Sequence, residues 1–284
     1  MSGTMPPSPL QRARDRLAHC ASIYPYFLIS ASGGKDSNAS FPLLAELRAK
    51  DPRIKIGAYH YTLMRGIQCV ERPIETLCRR YQVPVHYLIH PSLPQLLYEG
   101  FCRTRTAIVG RAYQTQLNMV DVELAGRLWF ACLLSKKDAS DLVPAEDEEE
   151  AKLSLRDLSV DPFKVWYVGG QRQNDSLERR AMLSGFRRQQ KALGEDGLKI
   201  PTGGQLGVNP KERRVYPLAD WSSDQVLAYC RAMNLPAAAD LGGKNTKGVN
   251  PSDPAAMRAM RDNYPRDFAR LAERFPLAIA VAEG

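Results

Sequence analysis

An apolar run, Tyr26-Phe27-Leu28-Ile29, leads almost directly into Ser32-Gly33-Gly34-Lys35-Asp36-Ser37, and the apolar residues Phe41, Leu44 and Leu47 follow at helical spacing. A strand, a glycine turn and a hydroxyl-bearing helix start in that order belong to folds in which a buried strand feeds a crossover helix. Gly33 and Gly34 permit turn angles closed to bulkier residues and let main-chain N–H groups come close to a ligand. The helix start contributes its dipole, Lys35 a point charge, and Ser32 and Ser37 hydroxyl donors, so the turn suits an anion such as a pyrophosphate. Asp36 opposes that charge. Beside bound phosphates it has two uses, to order the loop by accepting hydrogen bonds or to meet a magnesium ion. The spacing differs both from the Walker A pattern and from the dinucleotide Gly-x-Gly-x-x-Gly. A plain serine and glycine turn is the simpler alternative.

The rest of the chain repeats the strand–helix alternation. Pro9 to Cys20 reads as a short charged helix after a disordered start over residues 1–9, and residues 38–50 continue the helix that opens at Ser37 until Asp51-Pro52 stops it. Ile54 to Tyr61 predicts a second strand, Cys69 to Tyr81 a second helix, Val85 to Ile89 a third strand, Leu117 to Leu134 a helix, and Val165 to Val168 a further strand ending at Gly169-Gly170. Such alternation predicts a parallel sheet, and ligands of such sheets bind beyond the carboxyl ends of the strands, where the Ser32 and Gly169 loops both lie. Residues 136–161 carry the acidic run Glu146 to Glu150 and read as an exposed insertion rather than a metal site. The glycine-rich stretch Pro201 to Pro210 and the segment Ala237 to Asp253 read as loops, the second as a surface loop or a lid. Asp253 to Glu283 has helical spacing in Met257, Met260, Phe268 and Leu271 and is expected to pack on the sheet.

Composition limits the functional classes. With 44% hydrophobic and 25% charged residues over 284 positions, the chain has the makeup of a soluble globular protein with one substantial core. No run reaches the length of a membrane span and the first residues lack a signal-peptide core, so a cytoplasmic location is expected. The six cysteines, Cys20, Cys69, Cys78, Cys102, Cys132 and Cys230, include no close pair, which indicates neither a disulfide framework nor a Cys-x-x-Cys metal site. A net charge of +8 suits an anionic partner. Basic residues gather at Arg179, Arg180, Arg187, Arg188 and Lys191 and at Lys211, Arg213 and Arg214; solvated helix surface and a phosphate-rich macromolecular partner both remain open.

Three segments carry a family resemblance. Ser32 to Ser37 resembles the Ser-Gly-Gly-x-Asp-Ser signature of the PP-loop ATP pyrophosphatases. Val165 to Arg172, continued through Asp175, Ser176, Arg179 and Arg180, resembles the Gly-x-Arg-x-x-Glu/Asp-Ser-x-x-Arg box of the phosphoadenosine phosphosulfate (PAPS) reductase superfamily, and Tyr216 to Tyr229 is similar to its Pro-Leu-x-x-Trp segment. The resemblance spans roughly residues 24–235. It implies a Rossmann-like, adenine nucleotide alpha hydrolase-like α/β fold. The corresponding division is an N-terminal tail and helix (1–22), a PP-loop nucleotide-binding domain (23–235) with the acidic insertion at 136–161, and a small helical C-terminal extension (236–284).

What the resemblance implies for chemistry is attack on the α-phosphorus of ATP by an acceptor, giving an adenylylated product and pyrophosphate. Lys35 and Arg172 are then expected to stabilise phosphate charge, with Asp36 ordering the loop or holding Mg2+. Ser32, Gly33, Gly34, Ser37, Gly170, Asp175, Ser176, Arg179 and Arg180 are expected to contact the nucleotide or an anionic second substrate. Glu178 and Asp175 have a simpler alternative as partners of nearby arginines. Sulfonucleotide-reducing relatives carry a nucleophilic cysteine in a C-terminal tail, and no cysteine follows Cys230 here, in a predicted helix where a buried thiol is expected. An adenylyl-transfer role therefore fits better than thiol-mediated reduction. A PAPS reductase borrowing an external thiol and a non-catalytic nucleotide- or nucleic-acid-binding module stay open, as do a nucleic acid or sulfur-carrier protein as partner and self-association.

Overall fold

The computed structural model describes residues 7–62, 64–89, 165–189, 206–210, 213–241, 249 and 251–284. The helix expected over Leu117 to Leu134, the acidic stretch 136–161, Gly242 to Gly248 and Met1 to Pro6 lie outside these residues.

In chain order the described elements are α1 (Pro9–Ile23), β1 (Tyr26–Ser30), α2 (Lys35–Lys50), β2 (Lys55–Thr62), α3 (Gln68–Tyr81), β3 (Val85–Ile89) and β4 (Val165–Val168). They continue as α4 (Leu177–Gln189), β5 (Val208–Asn209), β6 (Arg214–Val215), α5 (Ser223–Ala232), α6 (Pro254–Asn263), α7 (Pro265–Arg274) and α8 (Leu277–Glu283). The chain divides into two compact units. One comprises Met1–Ser30, Lys35–Gly57 and Lys164–Leu235; the other comprises Ala31–Gly34, Ala58–Phe163 and Pro236–Gly284.

In the first unit β1 pairs in parallel with β4, Tyr26 to Ile29 against Val165 to Val168, and β4 pairs in parallel with β6. The short β5 closes that edge antiparallel to β6. β2 starts beside β1, where the Lys55 N–H donates to the Pro25 carbonyl at 2.9 Å. Its later residues belong to the second unit and pair in parallel with β3, Ala58 to Thr62 against Val85 to Ile89. The resulting order is β3-β2-β1-β4-β6-β5, a mostly parallel α/β sheet as the alternation predicts. Since the chain goes from β1 outward to β2 and β3 on one side and returns to β4 on the other, the order reverses at β1. A crevice beyond the carboxyl ends of β1 and β4 is where such sheets bind ligands.

Burial explains why β1 and β4 read as unbroken apolar runs. Phe27, Leu28 and Ile29 and all four residues of β4 are buried, as parallel strands covered on both faces require. The Trp166 indole N–H donates to the Cys20 carbonyl at 2.8 Å, fastening the end of α1 to β4. α1 starts on a Ser8 cap with Pro9 in its first turn and runs to Ile23, three residues beyond the expected end. Nothing in Ala21-Ser22-Ile23 resists helix, and the stop comes at Tyr24, the residue before Pro25.

The Pro217 to Trp221 segment clamps this helix. Arg16, buried on α1, donates to the Pro217 carbonyl and to Asp220 Oδ1, both at 2.7 Å. Arg12 pairs with the other Asp220 oxygen, and the Trp221 indole N–H donates to the Pro9 carbonyl at 3.0 Å. Ser222 and Gln225 then form a reciprocal capping box that opens α5.

In the second unit α3 begins without a side-chain cap of its own, and Asp267 of α7 supplies one by accepting from the Cys69 N–H at 2.7 Å. Val70, Ile74 and Leu77 of α3 are buried, as are Met257, Met260, Leu271 and Phe275 of the C-terminal helices. The helical stretch expected over Asp253 to Glu283 comprises three helices. Pro265 and Pro276 lack the N–H that a continuing helix needs and so divide it, while Asp253 caps α6 through the N–H groups of Ala255 and Ala256.

Burial opposes ionisation of Asp220, but hydrogen bonds and charge from Arg16 and Arg12 hold its carboxyl below the ordinary 3.8. Its stabilising effect is therefore present above about pH 4 and disappears as pH falls through the lowered native value. Asp220→Ala is expected to remove about 3 kcal/mol at pH 7, since it leaves buried Arg16 without its carboxylate, and to cost less at pH 3, below the ordinary carboxyl value. Urea titrations of both proteins at the two pH values measure this; an equal loss at both would mean that the ion pair is not what holds α1.

Candidate functional site

The first turn of α2 contains Lys35, Asp36 and Ser37, so the helix begins two residues before Ser37, its expected opening. An acidic residue in a first turn is favoured by the helix dipole, which accounts locally for the presence of Asp36. Its two oxygens face two cations: Oδ2 lies 2.9 Å from Lys35 Nζ and Oδ1 3.0 Å from Arg172 Nε. Arg172 in turn reaches Asp175 Oδ1 at 2.7 Å, and Asp175 Oδ2 lies 3.0 Å from Arg179 NH1. Three cations and two carboxylates thus alternate, leaving one positive charge over.

The loop after β4 is folded around this arginine. The Arg172 N–H donates to Asp175 Oδ2 at 2.8 Å, and its guanidinium donates to Ser223 Oγ at the start of α5 at 3.2 Å. The Gln173 N–H donates to the Ala219 carbonyl at 2.8 Å, which joins the loop to the segment that clamps α1. Glycine at 170 allows a close approach, because a Cβ there would lie only 3.0 Å from the Asp36 carbonyl carbon and from the Ser37 nitrogen. This close approach sets Arg172 beside Asp36.

Arg172 is 5% exposed. Its guanidinium, expected to stabilise phosphate charge, meets Asp36, Asp175 and Ser223 and joins the β4 loop to the α2 start. Ser176, expected to touch ligand, accepts from the Arg179 N–H at 3.1 Å and caps the first turn of α4. Arg179 is half-buried against Asp175, whereas Arg180 and Glu178 are exposed. Lys35 keeps a partly exposed side chain whose partner is Asp36.

The residues that precede α2 belong to the second unit. Gly33 has φ +73°, and a Cβ there would meet the Val70 carbonyl oxygen at 3.1 Å, so both backbone angle and space demand glycine. The Gly34 N–H donates to Ser32 Oγ at 3.3 Å. Ser32 is exposed and Gly33 and Gly34 are buried. Beside them lies a cavity of about 10 Å³ lined by Val70, Ala238, Ala239 and Leu241, room for no more than a water.

Ser223, which the sequence marked only as part of the Tyr216 to Tyr229 segment, and Cys230, expected as a buried thiol in a helix, join the first unit's cluster. Cys230 is half-buried with its Sγ 3.5 Å from the Lys35 carbonyl oxygen. Burial, and then the charge of Asp36, push its thiol upward against the opposing effect of Lys35. That environment suppresses thiolate. No group of three or more His, Cys, Asp or Glu side chains suited to a metal occurs among the described residues. Asp36 alone offers a carboxylate at the α2 start, which suits Mg2+ only if phosphates supply most of its ligands.

Gly170→Ala is expected to destabilise the protein by about 2 kcal/mol, because the added methyl meets backbone that cannot rotate away. Thermal melts monitored by circular dichroism check this. A wild-type melting temperature would show that the loop and helix are less closely joined than 3.0 Å requires.

No family model matches the chain, and no curated protein matches it. Solved structures are similar to it, two of them as follows. One is the U34-tRNA thiolase NcsA from Methanococcus maripaludis with its 4Fe-4S cluster, at 14% identity and TM-score 0.41, covering 97% of this chain and 78% of that one. The other is the NH3-dependent NAD synthetase from Campylobacter jejuni in complex with the nitrate ion, at 13% identity and TM-score 0.35, covering 96% of each chain. Likeness at this level assigns no activity.

Proposed function

We propose that the chain is a PP-loop ATP pyrophosphatase that transfers an adenylyl group, of the kind found in the PAPS reductase superfamily. The observation that carries this reading is the Ser32 to Ser37 hexapeptide, which ends in the first turn of α2 just after the strand where the sheet order reverses. Anions bind at such helix starts because main-chain N–H groups and the dipole point at them.

In this reading the N–H groups of Gly33, Gly34 and the α2 start, with the Ser32 and Ser37 hydroxyls, hold the diphosphate of ATP. Lys35 exchanges Asp36 for a phosphate oxygen. Asp36 is the carboxylate that would share Mg2+ with the phosphates, and the ion would supply charge neutralisation. An acceptor oxygen attacks the α-phosphorus, the bond to the bridging oxygen breaks, and pyrophosphate leaves with the electron pair. Positioning and charge neutralisation provide the catalysis. Arg172 contributes by holding Asp36 and Asp175, and Gly170 by allowing that approach. Exposed Arg180 and half-buried Arg179 are the groups placed to meet an anionic second substrate, since a guanidinium grips phosphate, sulfate or carboxylate bidentately. Suppression of the Cys230 thiolate favours adenylyl transfer over reduction by a thiol of this chain.

Purified protein with ATP, magnesium and a panel of oxygen acceptors is expected to release pyrophosphate. Lys35→Ala should weaken ATP binding by about tenfold to a hundredfold, the worth of one charge-assisted hydrogen bond, without lowering the melting temperature. Absence of ATP affinity in calorimetry, or a Lys35→Ala variant that binds ATP like wild type, would sink the reading.

A further inference from the structure

His60 is a buried imidazole on β2 that the adenylyl-transfer reading does not use. It is 5% exposed, and its Nδ1 lies 2.7 Å from the carbonyl oxygen of Ala31, the residue immediately before Ser32. A carbonyl oxygen only accepts, so Nδ1 carries the proton. The neighbouring β2 residue holds the other side of the same residue, because the Ala31 N–H donates to the Tyr59 carbonyl at 2.8 Å. Ala31 is itself buried at 2% exposure. Two consecutive residues of β2 therefore grip both main-chain polar groups of Ala31. One grip is an ordinary ladder bond that any residue at 59 would make. The other needs a side-chain donor of a particular reach.

We infer that His60 is the positioning residue of the glycine turn: by donating to the Ala31 carbonyl it fixes the peptide from which Ser32, Gly33 and Gly34 depart. The inference rests on the reading of that turn as the diphosphate site and adds the group that sets its geometry. Gly33 follows two residues later at φ +73°, a region open to glycine's full range of neighbouring conformers, so the glycines give the turn no rigidity of their own. Rigidity has to come from residues before and after it. On the side of β1 the His60–Ala31 bond supplies it, and a preorganised turn binds an anion more tightly than one that must be ordered on binding. A histidine inside a strand carries no helical or alternating signal of this role, since its partner is a main-chain oxygen 29 positions earlier.

The test compares His60→Leu, His60→Gln and His60→Asn with wild type in two measurements. Asparagine presents a side-chain N–H where the imidazole has Nδ1, glutamine presents one further out, and leucine has none. The first measurement is amide hydrogen exchange without nucleotide. His60→Leu and His60→Gln are expected to exchange the Ala31 and Gly34 amides about tenfold faster than wild type, with amides of α3 unchanged, while His60→Asn stays within about threefold. The second is binding of ATP and of adenosine. ATP affinity should fall about tenfold in the leucine and glutamine variants and stay near wild type in the asparagine variant, and adenosine affinity should not change in any. Wild-type exchange at Ala31 and Gly34 in a folded glutamine variant would overturn the inference, as would an asparagine variant no better than glutamine. Equal loss of ATP and adenosine affinity would overturn it too, by showing a general disturbance. A wild-type protein that binds no ATP removes the nucleotide reading, and the exchange measurement then still decides what His60 does to the turn.

Discussion

One buried guanidinium organises the first unit. Arg172 holds Asp36 on the start of α2, Asp175 in its own loop and Ser223 at the start of α5, so three segments distant in sequence converge on a planar group with five donors. Removing such a cation from water is costly and is repaid only when carboxylates surround it closely. Asp175 does so through a hydrogen bond at 2.7 Å, while Asp36 lies 3.0 Å from Nε as an ion pair without a hydrogen bond. The loop after β4 can come near enough only because residue 170 has no side chain.

That arrangement separates two tasks which look alike in a list of charged residues. Arg172 and Asp175 are enclosed and hold backbone in place, whereas Lys35 and Arg180 keep access to solvent. A charge that must meet a ligand has to be able to change partners, and a group 5% exposed between two carboxylates would have to give up both contacts to do so. The Pro217 to Trp221 segment divides in the same way. It resembles part of a ligand-binding motif, and here its carbonyl, carboxylate and indole fasten α1.

The glycine turn is held by a different means. Gly33 packs against the Val70 carbonyl and Ala31 is fixed by Tyr59 and His60, all within the second unit. Helix α3, which supplies Val70, depends in turn on Asp267 of α7 for its N-terminal cap. The C-terminal helices thereby contribute to the order of a segment more than two hundred residues earlier in the chain, through a cap that no local motif announces.

The sequence by itself determined the strands Tyr26 to Ile29 and Val165 to Val168, the helices after them and the glycine turn, because each is written in residues within a few positions of one another: apolar runs, prolines, caps and paired glycines. It also brought Ser32 to Ser37 and Arg172 to Arg180 forward as one chemical set. The contacts of Arg172 with Asp36, the close approach of Gly170 to the α2 backbone, the place of Cys230 on the Lys35 carbonyl and the reach of His60 to Ala31 arise only in the packed fold. Those are contacts between groups 29 to 195 residues apart, set by how strands and helices pack. Local spacing encodes where a helix or strand begins and ends; which buried charge meets which carboxylate depends on distances that exist only once the sheet has formed.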